Sequence, residues 1–397
     1  MKKLKTICTI IMAACMLLQT TTSYAAPNRS SDQVDSKVTS MPQAPKAEPD
    51  SVATIVSFGD TLCHKGVFKA AYDTKTKEYD FSPMFKYVKG YFKNATISIG
   101  NCEVPMAGSK VGYSGYPSFN APEQLATDLK ELGVDIMTTA NNHAMDQGYR
   151  GLEETLNYLD DAGIEHVGTA RSEEEYDTIL IKDLNGIKTA FLSYTYGVNG
   201  VRKPSSKKYC VNFIDKELIQ EQIKQAKKEG AELIVASMHW GTEYKTEEND
   251  DQEEMAKFLI QNGVDIILGS HPHVLQPMEM LKVKTAEGKE REGLVIYSQG
   301  NFFSNQKKEN TQDTAIFSIE VKKDGKTGKV SINKVTYAPI YVNIKEPGTK
   351  NRYELLDLNE IIRSYEKGEK TWSKAKYKLA LKEKEKITKI LTRNKVI

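Results

Sequence analysis

Five short apolar runs in this chain each end on side chains of the kind that bind cations. They are residues 53–60, 95–103, 134–143, 231–239 and 264–273, and they deliver Asp60, Glu103, Asn142 with His143, His239, and His271 with His273. A continuous apolar run of this length suits a strand covered on both faces. Helical patterns separate the runs. Three times a glycine joins helix to strand: Glu131-Leu132-Gly133-Val134-Asp135, Lys228-Glu229-Gly230-Ala231-Glu232 and Gln261-Asn262-Gly263-Val264-Asp265. Glycine closes a helix in a left-handed cap, and the chain turns straight into a buried strand. The pattern predicts repeated βα architecture. Ligands of such sheets bind at the carboxyl ends of the strands.

The chain has 397 residues, enough for one large domain with extensions. Residues 1–26 read as an export signal or N-terminal anchor. Lys2, Lys3 and Lys5 precede an apolar stretch over 7–18, and Ser23-Tyr24-Ala25 offers small residues at cleavage spacing. Met12-Ala13-Ala14-Cys15 also loosely matches a lipid-attachment sequence. Each reading predicts an extracytoplasmic location, secreted or anchored to the outer face of the membrane. Residues 27–50 are rich in Ser, Pro, Ala, Asp and Lys and predict a flexible linker. A folded domain is expected over 51–345. Strands at 314–321, 329–337 and 339–344 form its antiparallel part. Residues 346–397 predict a lysine-rich helical extension, with helices over 352–366 and 367–395. Lys plus Arg is 55 against 53 for Asp plus Glu, so nothing global argues for nucleic acid. Cys63, Cys102 and Cys210 lack metal-type pairing and read as buried thiols, with a Cys63–Cys102 bridge as the alternative.

Taken singly, the strand-end residues are ambiguous. Asp60 after Gly59 has the look of a helix cap, and His64 of a surface histidine. Glu103 leaves an apolar strand, where a charge is expensive without a partner. Asn141-Asn142-His143 supplies a neutral ligand and an acid or base, and Asp146 lies one turn beyond to orient the imidazole. His239 precedes Trp240. His271-Pro272-His273 is the strongest local signal, because a bent loop can aim two imidazoles at neighbouring ions. Asp60, Glu103, Asn142, His239, His271 and His273 make six donors, with His64 and His143 in reserve. One zinc site needs three or four. The surplus predicts two divalent ions with a shared carboxylate. Mixed N and O donors do not distinguish Mn, Zn and Fe. Glu243, Tyr244, Ser298, Gln299 and Asn301 are expected at the rim as substrate contacts.

Gly59-Asp60, Gly100-Asn101-Cys102-Glu103, Ala140-Asn141-Asn142-His143-Ala144-Met145-Asp146, His239-Trp240-Gly241, Gly269-Ser270-His271-Pro272-His273 and Ser298-Gln299-Gly300-Asn301 form an ordered set. Over about residues 52–305 this set resembles the bacterial capsule-synthesis proteins of the CapA/PgsA type, associated with poly-γ-glutamate. That family is similar to calcineurin-like metallophosphoesterases. The resemblance implies an α/β fold: a four-layer α/β/β/α metallophosphatase-like sandwich, here with the helical C-terminal extension. It also implies ligand roles. Asp60, His273 and His64 hold one metal, and Asn142, His239 and His271 the other. Glu103 bridges, and His143 protonates the leaving group. Three departures stand out. Thr61 and Leu62 replace the Asp-x-His start, Ala144 follows His143 in place of an acid, and the bridging carboxylate is Glu.

These features leave three function classes. One is an exported metal-dependent hydrolase or transferase acting on a phosphoester or amide, whether or not in capsule formation. Another is an assembly role beside a membrane synthase complex that makes polyglutamate or another anionic envelope polymer. The third is a non-catalytic polymer-binding protein. The favoured expectation is capsule biosynthesis with a metallophosphatase-like site.

Overall fold

The computed structural model describes residues 49–393, and these belong to one folded unit. The expected export signal and most of the linker lie outside the described residues. Among the described residues no helix is long and apolar enough to cross a membrane.

In chain order the strands are β1 (Ser51–Thr61), β2 (Ile97–Cys102), β3 (Ile136–Thr138), β4 (Glu165–Val167), β5 (Leu180–Leu184), β6 (Ile187–Thr195), β7 (Leu233–His239), β8 (Ile266–Ser270), β9 (Met278–Lys284), β10 (Glu290–Ile296), β11 (Asn301–Phe303), β12 (Asp313–Lys323), β13 (Val330–Ile344) and β14 (Tyr353–Asp357). The α-helices are α1 (Lys65–Ala71), α2 (Lys89–Lys93), α3 (Gln124–Leu132), α4 (Gly148–Ala162), α5 (Glu173–Asp177), α6 (Lys216–Lys228), α7 (Asp250–Asn262), α8 (Leu358–Glu366) and α9 (Lys374–Leu391). One sheet runs β14-β13-β12-β1-β2-β3-β4, with β11 also paired to β1. The other runs β5-β6-β7-β8-β10-β9.

Strand periodicity decides the layering. In β7, Leu233 and Val235 face the first sheet, while Ile234, Ala236 and Met238 face helices. In β1, Ala53 and Ile55 face the second sheet, and Val56 and Phe58 face the opposite way. Three apolar layers result. Helices α1 to α4 cover the first sheet, the two sheets cover each other, and α6 and α7 cover the second sheet. This is the α/β/β/α sandwich. The glycines at the helix–strand joints are left-handed, with φ of 109° at Gly133, 94° at Gly230 and 122° at Gly263. β1, β2 and β3 are mutually parallel, as are β6, β7 and β8. Their carboxyl ends carry the polar side chains singled out above.

The C-terminal part differs from expectation in two places. The strands expected at 329–337 and 339–344 form the single strand β13, which runs through Pro339. The pairing with β14 stops at Ile340, so Pro339 sits where β13 becomes an edge on that side, a position open to proline. The helix expected from 352 begins only at Leu358. Tyr353 to Asp357 pair with β13 instead, burying Tyr353, Leu355 and Leu356. The last two helices bury Leu358, Ile361, Ala380, Ile387, Ile390 and Leu391 in the layer between the sheets.

Candidate metal centre

Each donor reaches the centre for a local reason. The first strand passes close against the chain at Gly300: a Cβ on Gly59 would lie 1.8 Å from Gly300 O. The backbone N–H of Asp60 donates to that carbonyl at 2.8 Å, which carries the Asp60 side chain inward. Asn101 then donates its Nδ2 to Asp60 Oδ1 at 2.9 Å. At the end of β7, His239 is held by Ser270, whose Oγ stands 3.0 Å from Nδ1. Nε2 therefore faces Asn142 Oδ1, 2.9 Å away. Beyond β8 the chain turns through His271 and His273, with φ of 99° and 59°. Such angles in residues other than glycine store strain, and they persist only where the surroundings hold them.

Two groups of ligand atoms result, each with its atoms within 4.8 Å of one another. One is Glu103, His239 and His271; the other is Asp60, Glu103 and His273. Glu103 belongs to both. Its Oε1 lies 3.6 Å from His239 Nε2 and 3.8 Å from His273 Nε2. These separations are too long for hydrogen bonds. They suit donors on a common cation, since two atoms each about 2.1 Å from zinc stand roughly 3–4 Å apart. Glu103 Oε1 and His271 Nδ1 are buried and have no hydrogen-bond partner. Orphaned lone pairs in a buried cluster are costly, and divalent cations fit them.

The electrostatics agree. Burial, and after it the Asp60 carboxylate, push Glu103 well above the usual carboxylate range. Burial pushes His239 well below the usual imidazole range and His271 down to about 4. For His239 and His271 burial thus favours the neutral imidazole, the form that offers a lone pair to a metal. Beside them, His143 Nδ1 is 2.8 Å from Asp146 Oδ2, and its ring packs edge-on against Phe119.

Residues 54–306 match the family model described as Bacterial capsule synthesis protein PGA_cap. The chain belongs to this family. It is 31% identical over 310 residues to the PGA biosynthesis protein CapA of Bacillus subtilis, covering 74% of this chain and 76% of that one. It is 29% identical over 314 residues to the capsule biosynthesis protein CapA of Bacillus anthracis, covering 77% and 72%. Among solved structures it is similar to the calcineurin-like phosphoesterase YfkN from Bacillus subtilis, with 17% identity, a TM-score of 0.43, and coverage of 73% and 91%. It is also similar to the Haemophilus influenzae NAD nucleotidase NadN, with 14% identity, a TM-score of 0.44, and coverage of 86% of this chain and 61% of that one.

Not every residue expected at the centre of this PGA_cap chain is there. His64 belongs to neither ligand group. Its Nδ1 is 3.1 Å from Leu62 O, the Asn305 N–H approaches the same nitrogen at 3.3 Å, and the ring packs on Phe119. Ser298 and Asn301, expected at the rim, are fully buried. Ser298 Oγ donates to Val274 O, and Asn301 Nδ2 donates to His273 O and Thr311 O, so both hold the histidine loop from behind. Glu243 is exposed, and Tyr244 is partly buried with its ring 6.0 Å from His273. Cys63, Cys102 and Cys210 are buried free thiols.

Three contributors were given no role at the site from the sequence, although Asn101 and Ser270 stand in the motifs quoted above. Asn101 orders the carboxylates and Ser270 orients His239. Tyr196 stacks parallel to His239 at 6.2 Å and lies 4.7 Å from His271. The only available signal for Tyr196 was its place just past the end of a buried strand.

Proposed function

We propose that this is an exported capsule-biosynthesis protein whose dinuclear metal site acts on, or assists the export of, an anionic cell-envelope polymer such as polyglutamate. The observation that carries the metal part is Glu103, a buried carboxylate common to two ligand groups and left with an unpartnered oxygen. Asp60, Glu103 and His273 would hold one ion. Glu103, Asn142, His239 and His271 would hold the other. Such a pair, when bound, supplies Lewis-acid charge to an oxygen-centred reaction at phosphorus or carbon. His143 is the proton carrier of the site. Asp146 fixes its Nδ1, leaving Nε2 to exchange a proton with a departing group. Tyr196 flanks His239 and His271, and Tyr244 flanks His273. The polymer part draws on the family and on the printed roles of the two CapA relatives.

The test is metal analysis of the purified chain together with turnover of a generic phosphodiester by wild type and His271→Ala. About two divalent ions per chain and turnover that depends on His271 are expected. No retained metal and no His271-dependent turnover would remove the catalytic reading.

A second reading is favoured by His64, which stands outside both groups and leaves the Asp60 group with three residues. In it the chain grips the polymer for a membrane synthase complex without cleaving it. Metal binding and polymer binding with no product would select this reading.

A further inference from the structure

The two ligand groups hang on different parts of the fold. His239 ends β7, His271 follows β8, and Asn142 follows β3. Asp60 and His273, which belong only to the other group, both rest on the segment 299–314. The Asp60 N–H donates to Gly300 O at 2.8 Å, and Asp60 pairs with Asn301 in the β1–β11 register. Asn301 Nδ2 donates to His273 O and to Thr311 O, each at 3.1 Å. Behind Gly300 stands the backbone of Asp313, so close that a Cβ on Gly300 would lie 3.2 Å from Asp313 O. Thr314 Oγ1 donates to Gln299 O at 3.1 Å. The start of β12 is thus the back wall of the Asp60 and His273 half.

The C-terminal helix holds that wall from its other side. Lys386 Nζ on α9 lies 2.5 Å from Asp313 Oδ2 and 2.7 Å from Glu383 Oε2. Lys382 Nζ stands 3.2 Å from Glu383 Oε1, so the cluster holds two carboxylates and two ammonium groups. Asp313 and Glu383 are buried, with side chains 1% and 5% exposed. A buried pair of this kind is costly to break, because one partner is left as an uncompensated charge. The remaining ties of α9 are weaker. Tyr337 OH is 3.2 Å from Thr388 Oγ1. Arg393 Nη1 is 2.9 Å from Glu247 Oε1, but both side chains are exposed, and such surface pairs hold little.

We infer that Lys386 is a positioning residue for the Asp60–Glu103–His273 half of the metal centre. By clamping Asp313 it fixes the segment that carries Asp60 and His273. The inference rests on the metal reading above and adds that the two ions depend on different parts of the fold. Ligands must be held within about half an ångström of their working geometry. The left-handed backbone at His273 also persists only while its surroundings hold it. The direct link between the halves is loose: the His271 N–H approaches Asp60 Oδ2 at 3.4 Å. A disturbance behind Asp60 and His273 therefore reaches their ion first.

The experiment titrates Mn²⁺ into the metal-stripped full chain and resolves the two binding steps by calorimetry with a competing chelator. Wild type is compared with Lys386→Met, Lys386→Arg, His273→Ala and His239→Ala. The histidine variants show which step belongs to which half. Lys386→Met should weaken the step that His273→Ala abolishes by about tenfold, and leave the step that His239→Ala abolishes within about twofold of wild type. Lys386→Arg keeps the charge and should restore most of the loss. A second measurement needs no substitution and decides the matter even where Lys386→Met does not fold. Coupling is reciprocal, so an ion that α9 helps to bind also helps α9 to stay docked. Hydrogen exchange in wild type should slow over α9 on Mn²⁺ loading more than over α6, which packs on the outer face of the second sheet through Ile219, Ile223 and Ala226. Equal weakening of both steps, or of neither, overturns the inference, and so does equal slowing of α9 and α6. Wild type that binds fewer than two Mn²⁺ ions overturns the dinuclear reading itself, and the inference with it.

Discussion

His271 and His273, separated by one proline, serve different halves of the centre. Their rings are 6.1 Å apart, and each joins a different ligand group through Glu103. Both backbones are left-handed, so the divergence is a property of the loop. The strain sits at the point where two ions would be separated, and the hydrogen bond from Asn301 Nδ2 to His273 O holds it there.

Glu103→Gln should separate the cost of the empty centre from its gain on loading. Glu103 is buried with Asp60, and one of its oxygens is unpartnered. An amide sits beside Asp60 without having to take up a proton, as the buried Glu103 carboxyl must, and can donate to it. The metal-stripped variant is expected to be about 1–3 kcal/mol more stable than stripped wild type. It should also lose most of the stabilisation that added Mn²⁺ or Zn²⁺ gives wild type. Thermal unfolding with and without metal reads both, and a stripped variant less stable than wild type would count against this account.

Ser270→Ala removes the group that sets His239 but no ligand. The distance from Ser270 Oγ to His239 Nδ1 is 3.0 Å. Metal affinity is expected to fall about 10–100-fold with the fold intact, as for other groups that orient ligands. Competition with a chelator of known affinity measures it; unchanged affinity would place the orientation of His239 elsewhere.

Asp313 and Lys386 link β12 to α9 at 2.5 Å, with Glu383 beside them. Burial pushes Asp313 up to about 6, from an ordinary value of 3.8, even against the lysine. A raised carboxyl favours the fold while protonated. That contribution is fully present below 3.8 and is lost as pH rises through about 6. Asp313→Asn should therefore remove a decline in stability, on the order of 2 kcal/mol, between about pH 4 and pH 6. Urea titrations of both proteins across that range test the slope, and parallel pH profiles would contradict it.

Leu391→Ala probes whether the lysine-rich helix is part of the sandwich. Leu391 is fully buried in the layer between the sheets. A loss of about 2–5 kcal/mol is expected, as for other large-to-small core changes. A loss under about 0.5 kcal/mol would mark α9 as a detachable surface helix.

Much of the framework was legible along the chain. The runs at 53–60, 231–239 and 264–273 became β1, β7 and β8, because strands buried on both faces write themselves as unbroken apolar stretches. The glycines at 133, 230 and 263 marked helix ends for a steric reason that needs no tertiary context. The segment at 353–357 was less legible. Leu355 and Leu356 suit a helix or a strand, and only pairing with β13 decides between them.

The sequence by itself determined which residues could meet. Parallel strands gather their carboxyl ends at one edge, so Asp60, Glu103, Asn142, His239, His271 and His273 were bound for the same side of the molecule. Only the tertiary structure decided which of them share a ligand group, that Glu103 joins both groups, and that His64, Ser298 and Asn301 stand apart. Those outcomes turn on side-chain direction and burial within a few ångströms, and they are set by contacts between segments far apart in the chain.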